Sequence, residues 1–251
     1  MKKLLVLLTA VCAVSVLAES VNLYECGFEQ SEGFDLGSIV GVNNWVVHYG
    51  SGTMTAIDTD AAEGTQCAKI EGAAYSSFRN SFDISGVYEA NYNGALLDVY
   101  CYVKTLENAD NTLYVKFQAL TGSETGELEI MEYQQAKNGS HWFVFGRENG
   151  DNPSWWGYVD AAPWHKVGGI IDPKTKTIKK LYIDDKEYTP ETAGETMYYK
   201  SYAKPKIGSY PNSLRIMNAG LIDGFHVDVI PEPAIFGLLA LLGLFFARKQ
   251  R

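Results

Sequence analysis

From residue 21 to residue 229 the chain is a succession of short stretches rich in β-branched and aromatic residues, bounded by Gly, Asn, Asp and Pro clusters. They run 21–28, 45–49, 53–57, 66–71, 76–84, 95–104, 112–119, 126–134, 141–146, 164–172, 176–184, 206–209, 214–218 and 221–229. Stretches this short and this closely spaced specify strands joined by turns, and their number specifies an all-β antiparallel sandwich of two sheets. Asp172-Pro173-Lys174-Thr175-Lys176 separates two of them as a hairpin turn does, because Pro presets φ and the Asp side chain bonds the backbone that follows. Helix is scarce. The one candidate is Glu191 to Tyr199, with Thr189 to cap it and Pro190 to open its first turn, and Gly194 interrupts it. No internal repeat and no shift of composition before Val229 divides the body, so it reads as a single domain. A body of this size buries on the order of 70% of its unfolded surface, enough for a core without metal or disulfide staples.

The two ends differ from the body. Residues 1–18 carry Lys2 and Lys3, an apolar run from Leu4 to Val14, and small residues at Val16 and Ala18. This order of features is that of a secretory signal peptide, with cleavage expected after Ala18. The body then occupies 19–230, and 231–251 forms a separate tail. In that tail Pro231-Glu232-Pro233 precedes fourteen uncharged residues, Ala234 to Ala247, and the basic cluster Arg248-Lys249-Gln250-Arg251. Fourteen helical residues span about 21 Å, short of a hydrocarbon core of roughly 30 Å. The tail closely resembles the PEP-CTERM sorting signal of exported bacterial proteins. That resemblance implies an exosortase-type sorting protease as a partner, transient anchoring in the membrane through the C-terminal helix, and a destination in the cell envelope or on the cell surface. An ordinary C-terminal anchor is the alternative, since a short span can thin the bilayer or snorkel its flanks.

Five of the 21 Lys and Arg residues lie in the ends, against one of the 30 Asp and Glu, Glu232. A body so acidic repels phosphate backbones, which excludes nucleic acid as the partner. Once Cys12 leaves with the signal peptide, Cys26, Cys67 and Cys101 remain. Three is an odd number, and the sequence does not fix which of them pair. No C-x-x-C spacing accompanies the four scattered histidines, so zinc is not expected.

The order of features within the body resembles the concanavalin A-like lectin/glucanase jelly roll. The resemblance is carried by Gly27-Phe28-Glu29, Asn44-Trp45, Gly64-Thr65-Gln66 leading into Cys67, Trp164-His165-Lys166-Val167, the strand from Lys179 to Asp184, and Leu221-Ile222-Asp223-Gly224-Phe225. It implies two packed antiparallel sheets.

Three groups of residues could carry chemistry. Gly126-Glu127-Leu128-Glu129-Ile130-Met131-Glu132-Tyr133 resembles the catalytic strand of laminarinase-type glycoside hydrolases, Glu-x-Asp-x-x-Glu. The resemblance implies Glu127 as nucleophile and Glu132 as acid/base of a retaining mechanism, and it needs a bulge near Met131 to return both to one face. The chain departs from the pattern at Glu129, which stands where the helper Asp belongs, so no catalytic residue is favoured. Jelly-roll carbohydrate modules that resemble this chain often hold a structural Ca²⁺ between the opening and closing strands, and Glu29 and Asp223 match those acidic positions. Trp155 and Trp156 follow the turn-forming run Gly150 to Ser154, so one of them is expected to be an exposed platform for a sugar ring and the other to pack inward. Trp45, Trp142 and Trp164 sit inside strand patterns and read as core. Gly-x-Ser-x-Gly, His-Glu-x-x-His, the P-loop and the dinucleotide fingerprint are all missing from the sequence. Two functions follow: a non-catalytic surface or matrix protein that holds extracellular polysaccharide, and a secreted β-glucan hydrolase with a degenerate Glu-x-Glu-x-x-Glu strand.

Overall fold

The computed structural model describes residues 20–72, 76–106, 112–120, 127–147, 151–161, 163–200 and 210–230. The signal peptide, the sorting motif with its apolar tail and the stretch 206–209 lie outside the described residues. Among the described residues no helix is long and apolar enough to cross a membrane.

In chain order the strands are β1 (Val21–Cys26), β2 (Gly37–Ser38), β3 (Val46–Tyr49), β4 (Gly52–Ile57), β5 (Cys67–Gly72), β6 (Ser77–Ser81), β7 (Leu96–Lys104), β8 (Leu113–Leu120), β9 (Glu127–Gln135), β10 (Ser140–Val144), β11 (Ser154–Tyr158), β12 (His165–Asp172), β13 (Thr177–Ile183), β14 (Lys186–Tyr188), β15 (Met197–Tyr198), β16 (Ser213–Met217) and β17 (Gly220–Ile230). They form a ten-stranded sheet in the order β14-β13-β12-β7-β17-β5-β4-β2, with β1 also on β17 and β15 also on β13, and a seven-stranded sheet in the order β11-β10-β9-β8-β16-β6-β3. The pairing is antiparallel throughout, and the chain is a jelly-roll sandwich as its strand rhythm predicts.

Alternation builds the core. Along β7 Leu97, Val99, Cys101 and Val103 are buried while Asp98, Tyr100 and Tyr102 between them are half-buried on the outer face. Along β8 Leu113, Val115 and Phe117 point inward in the same way. Phe117 meets Phe225 of β17 across the sandwich, ring centroids 6.1 Å apart, which ties the middles of the two sheets together. Cys26, Cys67 and Cys101 are three buried, separate thiols. Burial pushes Cys26 and Cys67 up to about 12, so neither ionises readily as a nucleophile would.

The turn at 172–176 forms as expected: the Asp172 carboxylate accepts from the N–H groups of Lys174 and Thr175, and Lys176 takes a left-handed φ of 56°. The helix candidate is corrected. Thr189 caps and Pro190 opens it, but it spans Pro190–Ala193 only, because Gly194 adopts a left-handed φ of 71° and ends it after one turn. Met197 and Tyr198 then pair with Ile178 and Thr177 as β15. A helix that strand rhythm did not foresee, Ser85–Asn91, follows β6 and buries Tyr88.

Candidate functional site

The outward residues of the seven-stranded sheet fall into two neighbouring rows that cross the strands. One row runs Trp156, Trp142, Gln134, Tyr114 and Met217, each opposite the next on β11, β10, β9, β8 and β16. The other runs Val144, Glu132, Lys116, Arg215 and Arg79 on β10, β9, β8, β16 and β6. Adjacent strands lie about 4.8 Å apart, so four such steps give each row a length of about 19 Å.

Exposure is greatest at the β11 end. Trp156 is 67% and Tyr158 63% exposed, two residues apart on the outer face of an edge strand, their rings edge to face at 6.2 Å. Trp155 points the other way. Its ring lies within 6° of parallel to Phe143 and to Tyr188, at 5.9 Å and 5.3 Å, and so closes the gap between β10 of one sheet and β14 of the other. Lys186 of β14 donates to the Tyr158 carbonyl, occupying part of the open edge of β11. Of the tryptophans read as core, Trp45 is fully buried. Trp142 is corrected: it is half-buried in the outer row, since its neighbours His141 and Phe143 take the inward positions.

The acids of β9 are brought together by a bulge. Phe117 opposes Met131 and Gln118 opposes Glu129, which leaves Ile130 as the extra residue. Ile130 and Met131 both turn into the core, and Glu129 and Glu132 both turn out. The Ile130 carbonyl accepts from the backbone N–H of Lys200, whose ammonium group reaches back to both carboxylates. Lys116 from β8 joins them, 2.7 Å from Glu129 and 3.3 Å from Glu132. Glu132 is 3% exposed and also accepts from the Gln134 amide. Although burial works against it, hydrogen bonds and attraction from Lys116 and Lys200 hold the Glu129 carboxyl below its ordinary range. Against the same burial, Glu129 and Glu132 raise Lys200 above its own. Such a quartet neutralises itself, and the Glu129 carboxyl is held in its ionised form. Glu127 begins β9, opposite Leu120.

Glu29 and Asp223 hold one loop between them. Asp223, wholly buried, accepts through Oδ2 from the N–H groups of Ala62 and Glu63 at 2.8 and 2.9 Å, and through Oδ1 from Gly224. Burial pushes its carboxyl up to about 6 against the pull of those three donors. Glu29 accepts from the backbone of Thr65 and Gln66 and from the Thr65 hydroxyl. Gly64 lets the loop approach: its φ is 60°, and a Cβ there would stand 2.2 Å from the Glu29 carboxylate. This donor set does not fit a calcium ion, because N–H dipoles point their positive ends at the oxygens a cation would need. Among the described residues no three His, Cys, Asp or Glu side chains gather in one place to hold a metal ion.

Sequence reading missed Lys116, Arg79, Arg215, Lys200 and Tyr158. Alternation was the available signal for the first three. Each stands between inward residues, Lys116 between Val115 and Phe117, Arg79 between Phe78 and Asn80, and Arg215 between Leu214 and Ile216.

No protein-family model and no curated protein sequence matches the chain. Among solved structures it is similar to a carbohydrate esterase from the Shiga toxin-encoding bacteriophage phi24B, with a TM-score of 0.51 and 15% identity over 85% of this chain and 100% of the other. At that identity the likeness is one of fold. Lower scores come from a xylan-binding domain of Paenibacillus barcinonensis (TM-score 0.36, 15% identity, 86% of this chain and 99% of that one) and an endo-β-1,4-glucuronan lyase of the fungus Trichoderma reesei (0.45, 12%, 84% and 96%).

Proposed function

We propose that this chain is an exported surface or matrix protein that binds polysaccharide on the outer face of its seven-stranded sheet without cleaving it. The observation that carries this reading is the pair Trp156 and Tyr158, exposed side by side at the end of a row of aromatic and amide side chains. A flat ring held at the surface matches the apolar face of a sugar, and amide and hydroxyl groups along the row can bond its hydroxyls. Large rings left in water on a folded surface mark a site of interaction. The ion quartet of Glu129, Glu132, Lys116 and Lys200 favours binding over hydrolysis, since both carboxylates are already taken up by ammonium groups, and Glu132 by the Gln134 amide as well.

Replacing Trp156 with Ala is expected to weaken retention on bacterial exopolysaccharide about 10-fold or more, the loss of a single stacking contact of roughly 1.4 kcal/mol, with thermal stability nearly unchanged. Pull-down and melting of the same variant check it. Undiminished retention would remove the platform from the proposal.

Delivery follows from the ends of the sequence. The signal peptide starts export, and the Pro231-Glu232-Pro233 motif with its short apolar helix hands the chain to an exosortase-type protease that removes the tail. Mass spectrometry of the protein from its native cell surface is expected to find a C-terminus between Pro231 and Ala234. Recovery of a chain ending at Arg251 would refute this processing.

A further inference from the structure

The geometry points to a single dissolved glycan chain as the ligand, one of its sugars seated in the corner between Trp156 and Tyr158, and against the flat face of a crystalline polysaccharide. This rests on the polysaccharide reading above and adds the physical form of the ligand to it.

Side chains two residues apart on a strand share a face and stand about 7 Å from each other. On β11 these are Trp156 and Tyr158, whose ring centroids lie 6.2 Å apart with the ring planes at 80°. A crystalline glycan presents a plane, and a plane lies flat on one of two perpendicular rings but not on both. A corner takes the apolar face of one sugar on the first ring and the rim of the same sugar against the second, so that the sugar is held on two sides. The surface beside the corner is stepped rather than level. Trp142, directly opposite Trp156 on β10, is half-buried, and Gln134, opposite Trp142 on β9, is 9% exposed. Over two strand spacings, about 10 Å, the outer face falls from open rings to a covered amide. A layer of packed glycan chains is too broad to follow that step, and one chain is narrow enough.

The polar groups at the corner agree with this form of ligand. Ser140 stands opposite Tyr158 on β10, and its backbone N–H and its hydroxyl both donate to Asn138 Oδ1, at 3.0 and 2.6 Å. These two bonds fix the exposed Asn138 side chain near Tyr158 and leave its amide N–H groups to donate to a sugar hydroxyl. In a crystal many of those hydroxyls are bonded to neighbouring chains, whereas a dissolved chain offers them to the protein.

The test uses the full chain and offers it the same polymer in two forms: crystalline cellulose against hydroxyethyl cellulose, and crystalline chitin against glycol chitin, with soluble arabinoxylan and laminarin beside them. Depletion isotherms read the solids, and affinity electrophoresis and calorimetry read the solutions. Expected are binding to at least one soluble polymer and no adsorption to either crystal beyond that of a variant lacking both rings. Tyr158→Ala should weaken soluble binding about 10-fold, near 1.4 kcal/mol, while Tyr158→Phe, which keeps the corner, stays close to the unaltered protein. The strand contact of Tyr158 survives both changes, because Lys186 bonds its backbone carbonyl. Should Tyr158→Ala nevertheless unfold, the choice of the unaltered protein between the two forms of one polymer still decides. Adsorption to a crystal as tight as binding to its soluble counterpart, or soluble binding that Tyr158→Ala leaves unchanged, overturns the inference and leaves the polysaccharide reading standing. Retention of no probe overturns the reading and the inference together.

Discussion

Replacing Trp155 with Ala should cost the fold about 3 kcal/mol, an effect at the low end of the range for removing a packed aromatic side chain. Trp155 and Trp156 are neighbours in sequence and opposite in situation. The Trp155 ring is stacked on Phe143 and Tyr188, and through them it joins the edge strands of the two sheets where the sandwich would otherwise gape. Removing it deletes three ring contacts, the two stacks and an edge contact with His141, each contributing about 0.5–1.5 kcal/mol beyond area burial, and opens a cavity that the edge strands fill poorly. Trp156 has most of its surface in water already. Urea unfolding of the two single variants provides the comparison, and equal midpoints would show that the stack does not secure the edge.

A second large effect is expected at Glu132. Its replacement with Ala leaves Lys116 and Lys200 in a half-buried site with Glu129 as their one remaining partner from the pair. Breaking a buried ion pair by removing one member costs about 3–5 kcal/mol, because the charge left behind is still poorly hydrated. A double variant that also changes Lys200 to Met should recover part of the loss, and the coupling between the two sites is read from the cycle of four unfolding measurements. Neither the protein nor the variants should release reducing sugar from β-1,3 or mixed-linkage glucans. Release that the Glu132 substitution abolishes would make this a catalytic pair, and additive losses in the cycle would show that the two side chains act separately.

The strands were legible because β-branched and aromatic stretches bounded by turn residues need no tertiary information to be recognised. The helix Ser85–Asn91 was not, since Ser-Gly-Val-Tyr-Glu-Ala-Asn is too short for a helical period to appear and begins with two poor helix formers. At 189–199 the local signals were correct and the length was wrong: Gly194 ended the helix as a left-handed cap, and pairing with β13 took Met197 and Tyr198. The site divides similarly. That only one of Trp155 and Trp156 would be exposed follows from the two-residue period of a strand. That Lys116 would meet Glu132, and Arg215 stand between Lys116 and Arg79, depends on which strands adjoin and on a bulge at Ile130, and neither is written in any local stretch. Glu29 and Asp223 were singled out from their positions, but apart from the Thr65 hydroxyl their actual partners are backbone N–H groups, which every residue except Pro carries.

The place of β17 bears on when this protein can fold. It is the last strand of the body, yet it lies in the interior of the larger sheet, between β7 and β5 and alongside β1, with Val21 of the first strand opposite Val229 of the last. A ribosome working from the N-terminus has made every other strand before it makes this one. Until residues 220–230 emerge, β7, β5 and β1 lack the strand that joins them, and the larger sheet cannot close. Closing it early is opposed further by the entropy of bringing together positions some two hundred residues apart. This order of synthesis keeps the larger sheet open until residues 220–230, the piece that locks it, have been made.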